Sequence, residues 1–161
     1  WGFKVSIEKT TFVVFDRGKF KQVNLTSDNQ RIKKAASVKF LGMIFDQRLT
    51  WSKHIEYLRE KCQKRINIIK ALSGSKWGAD KETMVIFYKS FIRSVLDYGC
   101  MIYGSASKSV LDTLDVIQSQ SLRLCCGALK CTPVRALEVE CGVPPLDLHR
   151  KFNMEKLMVK Y

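Results

Sequence analysis

The chain lacks most of the short signatures that announce catalysis. No Cys-X-X-Cys pair occurs and only two histidines are present, His54 and His149, which argues against a zinc site. There is no adjacent Asp-Asp pair, no Gly-rich phosphate loop and no nucleophile set beside a base, so an enzyme complete within these residues is not expected. No apolar run approaches the roughly 20 residues that span a bilayer, and no secretory signal opens the chain. The expected location is therefore intracellular, cytoplasmic and/or nuclear, and the Asn24-Leu25-Thr26 glycosylation pattern carries no meaning there. The first residue is Trp1 and not Met, which suggests a piece of a longer polypeptide.

Acidic residues are also scarce. Fifteen Asp and Glu face 28 Lys and Arg, a net +13, well beyond what solubility alone favours. The excess is uneven: residues 1–100 carry 20 basic and 9 acidic side chains, against 8 and 6 in residues 101–161. A polyanion, nucleic acid first, is the partner to consider, with a solvated Lys-rich face as the plainer alternative.

At 161 residues and 46% hydrophobic, the chain is long enough to fold as one domain or two small ones. Its six cysteines are Cys62, Cys100, Cys125, Cys126, Cys131 and Cys141; Cys62, Cys100 and Cys125 fall among apolar helical positions and read as reduced core thiols.

The hydrophobic period divides the chain into an α+β arrangement. From residue 3 to about 47 it is short and strand-like, in "FKVSI", "TFVVF", "KFKQV" and "VKFLGMIF". "DRGK" at residues 16–19 predicts a hairpin between Phe12–Phe15 and Phe20–Val23. After residue 51 the spacing becomes three and four. Ile55, Leu58, Cys62, Ile66, Ile69 and Leu72 predict an amphipathic helix with Lys53, Lys61, Lys64 and Lys70 outside. "SGSKWG" ends it. A second helix is expected over Lys81–Met101, with Met84, Phe87, Phe91, Val95 and Tyr98 on one stripe, and a third over Ser107–Cys126, burying Leu111, Leu114, Ile117 and Leu122. Gly127 is a stop signal. In "TPVRALEVECG" Thr132 would cap a short helix, Pro133 start it and Gly142 end it. A peripheral helix follows "VPPL".

Two features at the junction stay open. Asp16 and Asp46 each follow an apolar strand, where metal-binding carboxylates can sit, but read more simply as turn formers. Trp51 and His54 stand where a helix begins: Trp51 reads as a hydrophobic hinge, and His54 divides evenly between that and a nucleic-acid contact.

Taken together, "WGFKVSIEKTTFVVF", "VKFLGMIFDQRLTWSKHI", "SGSKWG", "YKSFIRSVLDYGCMIYG", "IQSQSLRLCCG" and "CTPVRALEVECGVPPLDL" resemble the C-terminal half of the reverse transcriptase of non-LTR (LINE-type) retrotransposons, in particular the Jockey and I-like groups. The resemblance implies a nucleotidyltransferase fragment: residues 1–50 as the end of the polymerase palm, 51–143 as a helical thumb, and 144–161 as a connecting helix towards a further region. It implies that Lys9 assists nucleotide chemistry and that Lys39, Phe40, Leu41 and Gly42 form the primer-grip hairpin. Lys53, His54, Lys61, Lys64 and Lys70 would face an RNA/DNA template-primer, with the upstream fingers and palm as the protein partner. In the family the aspartates that hold Mg2+ for the complete polymerase lie in motifs not matched here. The fragment alone is therefore expected to be inactive and to need no cofactor of its own. The rival expectation is a stand-alone helical protein-interaction module from a decayed or co-opted element, docking through the strand edge Val38–Phe45.

Overall fold

In the computed structural model, residues 6–16, 23–27, 29–74 and 78–159 are described. The chain divides into two compact units, Trp1–His54 and Ile55–Tyr161.

The first unit is built from short strands. Ile7–Lys9, at the end of the expected strand run "FKVSI" and before "TFVVF", is a single 3-10 turn, and it carries Lys9 in an exposed position. β1 (Thr11–Phe12) pairs in parallel with β4 (Lys33–Lys34), whereas β2 (Thr26–Ser27) and β3 (Gln30–Arg31) pair antiparallel. The second strand of the expected Phe12–Phe15/Phe20–Val23 hairpin lies almost wholly outside the described residues, as does Trp77 of "SGSKWG".

The longest strands are β5 (Ser37–Phe40) and β6 (Met43–Asp46), an antiparallel hairpin in the register Ser37↔Asp46 to Phe40↔Met43. Only Leu41 and Gly42 connect them, with φ of 46° and 82°. Two consecutive left-handed residues give the tight turn whose twist matches that of the flanking strands.

The second unit is helical. α1 (Ser52–Leu72) crosses the unit boundary and buries Ile55, Leu58, Cys62, Ile66 and Ile69, the stripe its spacing predicts. The expected helix over Lys81–Met101 is broken instead into α2 (Lys81–Phe87), a π-helical turn (Tyr88–Arg93), α3 (Ser94–Asp97) and α4 (Cys100–Tyr103). Gly99 at φ 70° makes the last break. In the π turn the Ser94 N–H reaches the Lys89 carbonyl, five residues back. The wider turn puts Met84, Tyr88, Ile92 and Leu96 in the core at spacings of four. Phe91 and Tyr98, expected on the buried stripe, are 42% and 56% exposed.

α5 (Lys108–Cys126) buries Leu114, Ile117 and Leu122 as expected and leaves Leu111 half-buried. It ends at Gly127, φ 61°. α6 (Val134–Glu140) begins one residue later than its sequence suggests, with Pro133 at the cap and its carbonyl opening the helical ladder. It closes in a Schellman arrangement, Val143 N–H to Glu138 carbonyl at 2.9 Å and Gly142 N–H to Val139 carbonyl at 3.1 Å. α7 (Leu146–Met158) packs on α4 and α5, burying Leu146 and Arg150.

A polar chain runs through this core. The Tyr88 hydroxyl donates to Gln118 Oε1 at 2.7 Å, and Gln118 Nε2 donates to Glu138 Oε1 and to the Pro144 carbonyl, both at 3.2 Å. One side chain thereby ties together the π turn, α5, α6 and the loop before α7. Among the described residues no helix is long and apolar enough to cross a membrane.

Candidate nucleic-acid interface

In the first unit the hairpin presents its tip outward. Lys39, Phe40, Leu41 and Gly42 are all exposed, Phe40 by 61% and Leu41 by 73%, while Met43 at the start of β6 is buried. The sequence-predicted grip residues are thus brought together on one turn.

The segment after the hairpin is fixed by Asp46. Its Oδ2 accepts from the Thr50 N–H and hydroxyl, and its Oδ1 from the Trp51 N–H, all at 3.0 Å. Burial opposes the charge, but the donors of Thr50 and Trp51 outweigh it and hold the carboxyl below its ordinary value. The three bonds hold a backbone in which Leu49 and Trp51 have φ of 53° and 64°, a conformation ordinary side chains avoid. Asp46 is therefore the turn former.

Trp51 is buried against Phe45, ring centroids 5.2 Å apart in an edge arrangement, and lies 6.4 Å from the His54 ring. His54 is fully buried, and its Nδ1 accepts the Ile44 N–H at 3.3 Å. Burial pushes its pKa down, so the ring is neutral with its proton on Nε2. The expected contact between His54 and a nucleic-acid backbone is corrected here: a side chain with no surface cannot touch a phosphate, and the imidazole instead fastens the helix start to β6. Lys53 remains exposed, with Nζ 3.3 Å from Ser37 Oγ on β5.

In the second unit Lys61, Lys64 and Lys70 are exposed on α1. At about 100° per residue Lys64 lies opposite the buried stripe, with Lys61 and Lys70 to either side. The Lys70 side borders an open groove of about 800 Å³ between α1 and the end of α5, where Arg123 and Lys130 join Lys70 with Gln63, Asn67 and Gln120. Among the described residues no carboxylate lines it. Arg123 and Lys130 were not singled out by sequence; they come to the groove only because α5 ends there. Glu56 next along α1 is satisfied by Arg59 through a two-pronged pair at 2.6 and 3.0 Å. Tyr103 is fully buried and donates its hydroxyl to the Leu96 carbonyl.

Asp46 is committed to its turn, and among the described residues no three His, Cys, Asp or Glu side chains converge on a point where an ion could sit.

The chain is similar to proteins of mobile elements. It is 27% identical over 164 residues to the RNA-directed DNA polymerase from mobile element jockey of Drosophila melanogaster, covering 99% of this chain and 18% of the relative. The jockey polymerase of Drosophila funebris matches at 25% over 91% of the chain, 16% of that relative. The Pol polyprotein of type-1 retrotransposable element R1 from Nasonia vitripennis matches at 23% over 92% of the chain and 48% of the relative. The chain thus spans less than a fifth of its jockey relatives and about half of the R1 sequence. No protein-family model matches it, and no solved structure does. By these alignments, which run over most of its length, the chain is a homologue of the RNA-directed DNA polymerases of the jockey, X-element and R1 non-LTR retrotransposons.

Proposed function

We propose that the chain is the grip portion of a retrotransposon reverse transcriptase, holding an RNA/DNA template-primer without itself carrying out nucleotide transfer. The observation that carries this reading is the exposed, carboxylate-poor basic surface along α1, in a chain whose relatives are RNA-directed DNA polymerases. Phosphate contacts that ignore sequence need only such a surface, which gains affinity by releasing counterions.

On this reading residues 1–50 are the end of the palm, with Lys39, Phe40, Leu41 and Gly42 as primer grip and Lys9 beside the nucleotide. Residues 51–143 are the thumb, whose Lys53, Lys61, Lys64 and Lys70 lie along the duplex, and 144–161 connect onward. His54 serves as a positioning residue through Ile44. Nucleotide transfer would need Mg2+ held by aspartates from the fingers and palm that complete the enzyme.

The test is binding to a labelled RNA/DNA primer-template over a salt series. Wild type is expected to weaken steeply with salt, and the Lys61→Glu/Lys64→Glu/Lys70→Glu variant to lose affinity and about 2 to 3 units of the log–log salt slope. A wild-type affinity indifferent to salt overturns the reading.

A second reading is favoured by the bare apolar tip, where Phe40 and Leu41 face solvent. A protein-docking module would use that tip. It predicts that Phe40→Asp abolishes partner capture while the triple lysine variant leaves it intact.

A further inference from the structure

Cys126 closes α5 and Cys141 follows directly on α6, and their Sγ atoms lie 3.0 Å apart. All six cysteines are free thiols, and this pair is drawn together. A disulfide bond measures about 2.05 Å, so closure needs about 1 Å of approach.

The surroundings permit that approach. Each cysteine is followed by a glycine in the left-handed region, Gly127 at φ 61° and Gly142 at φ 57°, and a Cβ built at either would meet no heavy atom within 4 Å beyond its chain neighbours. Space is therefore open beside each cysteine on that side. Cys126 is half-buried and open to a small reagent, while Cys141 is 7% exposed. Burial first, and the Cys126 contact second, push the Cys141 thiol up to about 12, with the Lys81 ammonium drawing it the other way. Lys81 is held near the pair by Glu140 at 2.8 Å.

We propose that Cys126 and Cys141 form a dithiol modification site that takes a small-molecule disulfide of the glutathione class and closes to an intramolecular bond. The Cys126 thiolate attacks one sulfur of the reagent, whose S–S bond breaks and whose departing thiolate takes up a proton. Cys141 then gives up its proton and attacks Cys126 Sγ, expelling the second reagent thiol. Two protein thiols are oxidised to one disulfide, and one small disulfide is reduced to two thiols. The bond staples α6, and the loop bearing exposed Cys131, to the end of α5.

The experiment exposes the 161-residue chain to set ratios of oxidised and reduced glutathione, quenches with an alkylating agent and maps linked peptides by mass. A Cys126–Cys141 peptide is expected as the main cross-link, accompanied by a Tm rise of about 5 °C. Cys131→Ser retains both effects; Cys126→Ser and Cys141→Ser lose both. The selectivity disappears in denaturant, where all thiols compete. The proposal is overturned if the native chain carries separate glutathione adducts at Cys126 and Cys141, stays reduced there, or links either to Cys131 as readily. Peptide mapping on wild type and Cys131→Ser decides the matter even where the other variants fail to fold.

Discussion

Asp46 and His54 secure the same junction and respond to acid in different windows. Asp46 is held below its ordinary 3.8 once Thr50 and Trp51 outweigh burial. A depressed carboxylate contributes stability that is present above its unfolded value and lost as pH falls through the folded one. His54 is depressed from 6.5 by burial, so its contribution is present above about pH 6.5 and lost as the pH falls from there. Acid unfolding should therefore weaken the fold in two stages. His54→Asn, which offers Ile44 a carbonyl oxygen in place of Nδ1, removes the upper stage; Asp46→Asn removes the lower one and costs about 1.5–3 kcal/mol at neutral pH for the charge-assisted bonds. Denaturant melts at pH 7, 5 and 3 check both, and a single unchanged stage in either variant contradicts the assignment. The turn role of Asp46 was legible in sequence, since Asp after a strand and before Thr caps turns. The burial of His54 was not: a histidine three residues beyond Trp51 looks the same whether it faces in or out, and what settles it is the Ile44 N–H arriving from β6.

At the scale of elements, the residues themselves read as one strand-like run, "VKFLGMIF", and a hairpin there came only from the resemblance; the left-handed Leu41 that splits the run into β5 and β6 was not legible, because leucine is a poor choice at φ 46°. The Leu41 side chain is 73% exposed. Leu41→Asn, giving the Asn-Gly pair this turn prefers, should stabilise the chain by about 0.5–1 kcal/mol. If the tip grips a primer end, the same variant should lower primer-template affinity, so stability and binding move in opposite directions; thermal melts beside the binding series measure both. The helices were legible where one stripe ran unbroken, in α1 and α5. They failed over Lys81–Met101, because a π turn changes the period within a helix and nothing in "FYKSFIRS" marks the change.

On the scale of the molecule, the period of the hydrophobic residues changes near residue 51, and the compact units divide between His54 and Ile55. The α+β order, short strands then helices, followed from it. What sequence did not disclose is that the helical unit is knotted around a polar residue: Gln118 occupies a position among Leu114, Ile117 and Leu122 that periodicity marks simply as interior. With its partners Tyr88 and Glu138 buried, Gln118→Leu strands two buried polar groups and should cost about 1–3 kcal/mol, read as a lower denaturant midpoint with unchanged m-value. Little change would mean that the network contributes geometry without stability. The groove lined by Lys70, Arg123 and Lys130 is likewise a property of the assembled unit, since Lys70 stands more than fifty residues before the other two along the chain.

The π turn has one more implication, in the currency of codons. A π turn is an α-helix carrying a single surplus residue, so Tyr88–Arg93 reads as the scar of a one-codon insertion that the helix accommodated by widening. Loss of one codon for an outward residue such as Ser90 would return the segment to regular α geometry while leaving α2 and α3 facing the same way. Length variation of one residue between otherwise alignable relatives is therefore best tolerated there, and an alignment that places its gap elsewhere in the helix would misassign the buried positions between that place and the π turn.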